Sequence, residues 1–227
     1  MNTPTNDSAS PQPVPLSATA RRILGVLVEK AKTTPDNYPL SLAALISGCN
    51  QKSNRSPQMQ VDEDDAIDAL EELRRVGAAR EVQGSGRVNK YRHAAYEFLD
   101  VDSPGSAVMT ELLLRGPQTI GELRTRASRM HKFDDLPAVQ AVLDQLTEKN
   151  LVEAMSPPGR GQTFAHKLYT PEERQYLDAR IEKQAAKSSP SGPSADKNAV
   201  DQLIVRLETV NSRIEELEQR IDALEGK

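Results

Sequence analysis

The chain has 227 residues and a formal net charge of −4, with 27% charged, 37% hydrophobic and only 4% aromatic residues, the profile of a water-soluble, helix-rich chain with long polar segments. No stretch approaches the roughly 18–20 continuous apolar residues of a membrane span, "MNTPTNDSASPQPVP" lacks the basic start and apolar run of a secretion signal, and a single cysteine, Cys49, excludes an internal disulfide framework. A cytoplasmic protein of one or two small domains is expected, and any nucleic-acid surface on so acidic a chain must be a local patch.

Residues 1–15, rich in Pro, Ser, Thr and Asn, read as a disordered tail. A helix follows, with Ser17 as N-cap and Ile23, Leu24, Leu27 and Val28 on one face, and "TTPDNYP" breaks it at Pro35. A short second helix starts at Ser41 with Leu42, Leu45 and Ile46 inward. After the polar stretch "CNQKSNRSPQM" a third runs from about Asp62 to Val76, carrying Ile67, Leu70 and Leu73 and closed by Gly77. "AAREVQGSGRVNKYRH" then alternates around "GSGR" as a hairpin does.

The order repeats. Val108 to Leu114 form a helix stopped by "RGP", Thr119 and Glu122 have capping-box spacing at the start of another, "LPAVQAVLDQLTEKN" is a third, and "LVEAMSPPGRGQTFAHKLY" is a second hairpin. Pro39, Leu42 and Leu45 correspond to Pro117, Ile120 and Leu123 at one constant offset. Leu70, Leu73, Val82, Tyr91 and His93 correspond to Leu143, Leu146, Met155, Phe164 and His166 at a second, leaving the first copy five residues longer around Cys49–Met59. Three helices and a hairpin are the order of a winged helix. The fold expected is mainly α with small β-hairpins: two tandem winged-helix domains, residues 16–98 and 103–172, then a helical extension and flexible linker (173–199) and a coiled-coil helix (200–227).

In that last segment Val200, Leu207, Ile214 and Ile221 take the a positions of four heptads and Leu203, Val210, Leu217 and Leu224 the d positions. Arg213 and Arg220 at g stand within reach of Glu218 and Glu225 at e of a partner. Mostly β-branched a positions with mostly Leu at d favour a parallel homodimer, the alternative being a helix folded back onto its own domain.

"TTPDNYPLSLAALISGCNQKSNRSPQM" and "LLLRGPQTIGELRTRASRMHKF" resemble the signature segments of the bacterial YceH-like family, a group without established function, over about residues 17–170. The resemblance implies the tandem winged-helix fold and supplies no reaction, cofactor or partner.

Winged-helix DNA readers send the third helix into the major groove. Here that helix opens with Asp62, Glu63, Asp64, Asp65 and Asp68, which suit the helix dipole and repel phosphates, and the second copy opens its own with Asp134 and Asp135. The cations lie one element earlier. Arg115, Arg124, Arg126, Arg129 and Lys132 surround the single acid Glu122, Lys52 and Arg55 follow the equivalent helix of the first copy, and the wings add Arg87, Lys90 and Arg160. The nucleic-acid set is therefore Lys52, Arg55, Arg87, Lys90, Arg124, Arg126, Arg129, Lys132 and Arg160, contacting duplex phosphates without reading sequence. The competing reading pairs these arginines with the acids of the third helices, tying the copies together. "CNQKSNRSPQM" reads first as a structured loop and second as a contact surface.

Cys49 reads as a small buried residue at a helix end. Duplicated structure accounts for His93 and His166 better than metal binding does, since three histidines and one cysteine have no zinc spacing. No paired carboxylates or triad stand out, so neither enzymatic activity nor a cofactor is expected. Two classes remain: a dimeric nucleic-acid-binding or transcription-associated factor, preferred by analogy with the fold, and a protein-interaction adaptor that has lost groove reading.

Overall fold

Ser17 caps the first helix, its side chain accepting from the amide of Ala20, and α1 (Ala18–Thr33) follows. Every residue from Ala20 to Glu29 is buried, so the single apolar face expected of Ile23, Leu24, Leu27 and Val28 is too narrow a description. The reason lies in the second repeat. Helix α5 (Ser103–Arg115), itself buried from Gly105 to Leu114, packs on α1 and covers the side that the first repeat leaves open. Gly25 permits this approach, since a Cβ there would stand 2.8 Å from Leu114 Cδ2. A single cluster of buried apolar side chains, from Leu16 to Leu168, consequently runs through both repeats.

The computed structural model describes residues 13–83, 88–159 and 161–187. Most of the N-terminal tail, the tip of the first hairpin with Arg87, Arg160 of the second, and the positions Val200, Leu203, Leu207, Val210, Ile214, Leu217, Ile221 and Leu224 for which a coiled coil is expected lie outside them. The fold described below belongs to a compact unit ending at Ile181.

The first repeat continues with β1 (Leu40–Ser41), α2 (Leu42–Cys49), α3 (Glu63–Arg75), β2 (Ala79–Gln83) and β3 (Asn89–His93). Its three strands form an antiparallel sheet in the order β1-β3-β2, with Leu40 opposite Tyr91 and Ala79 opposite His93. After α4 (Ala95–Leu99) and α5 come β4 (Gln118–Thr119), α6 (Ile120–Ala127), α7 (Leu136–Glu148), β5 (Val152–Ala154), β6 (Thr163–His166) and α8 (Pro171–Lys187). The second sheet has the same order, β4-β6-β5, with Gln118 opposite Phe164 and Val152 opposite His166. The molecule is mainly helical with two small antiparallel sheets, and among the described residues no helix is long and apolar enough to cross a membrane.

Helix ends repeat as well. Asp62 and Asp65 form a capping box on α3, and Thr119 and Glu122 form one on α6. Gly77, at φ +78°, ends α3 with its amide on Arg74 O while the amide of Ala78 reaches Leu73 O. Asn150, at φ +59°, ends α7 with the same pair of bonds, its own amide to Thr147 O and that of Leu151 to Leu146 O. Ile67 is a correction. The inward stripe of α3 is Ala66, Ala69, Leu70 and Leu73, and Ile67, one position past Ala66 on the helical wheel, is 39% exposed. The ends of the repeat pair also meet: the amide of Leu16 donates to Leu168 O at 3.0 Å, and Arg21 donates to the carbonyls of both residues.

A candidate site at the seam between the repeats

The stretch Cys49–Met59 folds as an ordered loop that touches both repeats. Asn50 fixes its ends, donating from Nδ2 to Val61 O and accepting the Val61 amide on Oδ1, both at 2.8 Å. The amide of Ser56 donates to Leu114 O of α5, and Arg115 donates to Asn54 Oδ1. Cys49 closes α2, fully buried, and burial raises its thiol pKa to about 12.

Beneath the loop lies an ionic network that the chain positions by helix geometry. Glu29 and Glu111 each sit four residues before the last residue of α1 and α5, at equivalent places in the repeats, and each is essentially without solvent exposure. Arg55 donates through both Nη atoms to Glu29, from Nε to Gly48 O at 2.9 Å and to Asn54 O. Arg129, following α6, reaches both acids, pairing with Glu29 Oε1 and donating from Nε and Nη2 to Glu111 Oε1 at 3.0 and 2.7 Å. Arg115 Nε stands 3.0 Å from Glu111 Oε2, an ionic contact without hydrogen-bond alignment. Gln118 links the network outward, donating to Glu111 O and accepting from Arg126.

Burial alone would raise the Glu29 pKa, but the hydrogen bonds and charge of Arg55, joined by Arg129, outweigh it and hold this carboxyl below its ordinary value. For Arg129 burial pulls downward, and Glu111 and Glu29 more than restore the charge, raising its pKa. Burial lowers the pKa of Arg115 and, aided by the neighbouring charge of Arg55, that of Arg22.

The cations singled out in the sequence divide into three groups. Arg55 is withdrawn from solvent entirely, and Arg129, its side chain 30% exposed, bridges the two buried acids. Arg124 donates to Asp134 O, and Arg126 pairs with Glu122 and Gln118. Lys52 and Lys132 are exposed and Lys90 is half-buried on β3, while Arg87 and Arg160 lie outside the described residues. Arginines do tie the repeats together, but through acids of the first helix of each repeat, not of the third. Glu29, Glu111 and Arg22 were missed by sequence reasoning. A signal was present for Glu111, the lone acid inside the apolar run "VMTELLL", whereas Glu29 in "VLVEKAK" ends an apolar run and is followed by Lys30 and Lys32. His93 and His166 behave as duplicates: each Nδ1 accepts the backbone amide two residues on, from Ala95 at 3.3 Å and Leu168 at 3.2 Å.

Residues 16–160 match the family model described as "Protein of unknown function, DUF480". The chain is 74% identical over 183 residues to a UPF0502 protein of Rhodopirellula baltica, covering 81% of this chain and 77% of that protein. It is 48% identical over 162 residues to a UPF0502 protein of Geotalea daltonii, covering 70% and 74%. A third UPF0502 protein, from Dechloromonas aromatica, is 40% identical over 207 residues, covering 89% of this chain and 92% of that one.

Proposed function

The chain belongs to the DUF480/UPF0502 family, described as proteins of unknown function, and from that premise we propose a binding role, not a catalytic one, for a pair of winged-helix units joined rigidly at their first helices. The unit serves as a protein-interaction adaptor, held as a homodimer through the coiled coil expected over residues 200–227. One observation carries this preference over nucleic-acid contact: Arg55 and Arg129 have their guanidiniums engaged by Glu29 and Glu111, Arg55 with no side-chain exposure at all. The acids opening α3, from Asp62 to Asp65, are exposed, where a groove-reading helix would meet phosphates. A cleft of about 530 Å³ between α2, the start of α3 and β3, lined by Leu42, Ile46, Val88, Tyr91 and Glu63, fits a partner segment with apolar anchors and flanking Lys or Arg.

A second reading, sequence-blind duplex contact, draws support from the exposure of Lys52, Arg124 and Lys132. A pull-down from cell extract, with and without nuclease and with wild-type and Leu42→Asp chains, separates the two. The adaptor reading expects captured protein that survives nuclease and is lost with Leu42→Asp. Capture of nucleic acid, or capture abolished by nuclease, returns the chain to the second reading.

A further inference from the structure

A cavity of about 560 Å³ opens where the front of α1, the Ser56–Met59 loop, the end of α5 and α8 meet. That volume falls in the usual range of small-molecule sites, about 300–1,000 Å³. Its walls are largely apolar, with Met59, Leu112, Leu113, Tyr169, Tyr176 and Leu177 among them. Its charged wall is unusual. Arg22 lines it, is 2% exposed, and makes no ion pair among the described residues; its Nη atoms donate only to the neutral carbonyls of Cys49 and Pro57, and its Nε has no partner. Behind it the imbalance continues, because Arg22, Arg55, Arg115 and Arg129 together face only two buried carboxylates, Glu29 and Glu111. Arg115 lines the same cavity. Arg21, also at its edge, is already neutralised by a bidentate pair with Glu173, and Glu172 adds negative charge to the wall.

A buried cation without a counter-charge is costly, and an anion arriving in the cavity relieves that cost. We propose that this cavity binds a small, singly charged carboxylate with a flat apolar body, its carboxylate supplying the missing counter-charge at the Arg22–Arg115 wall and its body lying among the leucines and tyrosines. One negative charge suits the site better than two, because Arg21 and Glu173 cancel and Glu172 already offsets part of the arginine excess. The occupant touches both repeats and α8. The proposal does not depend on whether the partner of the exposed surfaces is protein or nucleic acid.

The test titrates the full chain with 1-naphthoate, using 1-naphthamide as the neutral analogue and 1-naphthyl phosphate as the dianion, and follows heat together with the methyl resonances of Met59, Leu112 and Leu113. Naphthoate is expected to bind about tenfold or more tighter than the amide, the worth of one hydrogen bond to a charged group, and to shift those methyls. Arg22→Met should remove the tenfold preference. Because that variant risks the fold, Met59→Trp, which fills the cavity and leaves every charge in place, must abolish binding as well. No saturable binding of naphthoate, equal binding of acid and amide, tighter binding of the phosphate, or binding that survives Met59→Trp each overturns the proposal.

Discussion

The two repeats place a glutamate at the same buried position of their first helix and satisfy it differently. Glu29 receives Arg55 from the longer loop of its own repeat and Arg129 from the other, whereas Glu111 receives Arg129 and the adjacent Arg115. The loops that follow the second helices carry the difference. In the first repeat the loop drives Arg55 into the interior along with Val61, whereas the shorter loop of the second buries Phe133, 5% exposed with His131 edge-on to its ring, and no arginine. Helices and sheets thus recur in the same order, while the longer loop of the first repeat adds one buried arginine to the seam. A duplicated scaffold tolerates asymmetry where a loop supplies the counter-charge.

Removing the asymmetric arginine is the harshest way to break this comparison. Arg55→Met leaves Glu29 with Arg129 alone and orphans the carbonyls of Gly48 and Asn54, and is expected to cost about 3–5 kcal/mol, measured by urea unfolding. The double change Arg55→Met, Glu29→Leu should recover much of that loss, because neither member of the buried pair is then left without the other. A cost below about 1 kcal/mol for the single variant would mean that the loop is held by its backbone bonds. The sign with pH is fixed by the lowered Glu29 pKa. Its contribution is fully present above the ordinary carboxylate range and is lost as pH falls through the depressed folded value, a loss that Arg55→Met should reduce.

The paired histidines give a gentler test. Burial lowers both, His166 well below its ordinary value with Arg21 adding to the effect, and His93 less severely. For each, the unfolded chain takes up a proton before the folded one does. Stability is therefore complete above about pH 6.5 and falls as pH drops below it, by up to about 1.4 kcal/mol per pH unit for each histidine. Urea midpoints measured across that interval should flatten more for His166→Gln than for His93→Gln. An equal response would erase the difference in burial between the two sheets.

The smallest effect sharpens the likeness between repeats. Gly121 in α6 corresponds to Ala43 in α2, and a Cβ at Gly121 meets nothing within 4 Å. Gly121→Ala should stabilise the chain by about 0.5–1 kcal/mol, read as a rise in thermal midpoint; a loss would show that α6 does not share the surroundings of α2.

Much of this architecture was legible in the sequence because its signals are local. The caps Ser17 and Thr119, the terminator Gly77 and the inward stripe of Leu70 and Leu73 are set by residues three or four apart. Strands β1 and β4 escaped notice, since two residues are too few to alternate. The burial of α1 on all sides was hidden for another reason: its second cover, α5, comes from about eighty residues away. The seam was harder still. A lone Glu in an apolar run announces that it needs a partner, but nothing in "CNQKSNRSPQM" or "RASRMHKF" says which arginine turns inward.

The meeting of Leu16 with Leu168, clamped by Arg21, gives the fold the topology of a ring. One closure is covalent, through residues 100–102 between α4 and α5, and the other is made of hydrogen bonds. The two joints are interchangeable in principle: a chain that starts at Ser103, passes from Leu168 to Leu16 through a short linker and stops at Leu99 gives up α8 but retains α1 to α7 and both sheets. Which repeat is translated first is, for this architecture, a matter of gene order and not of physics.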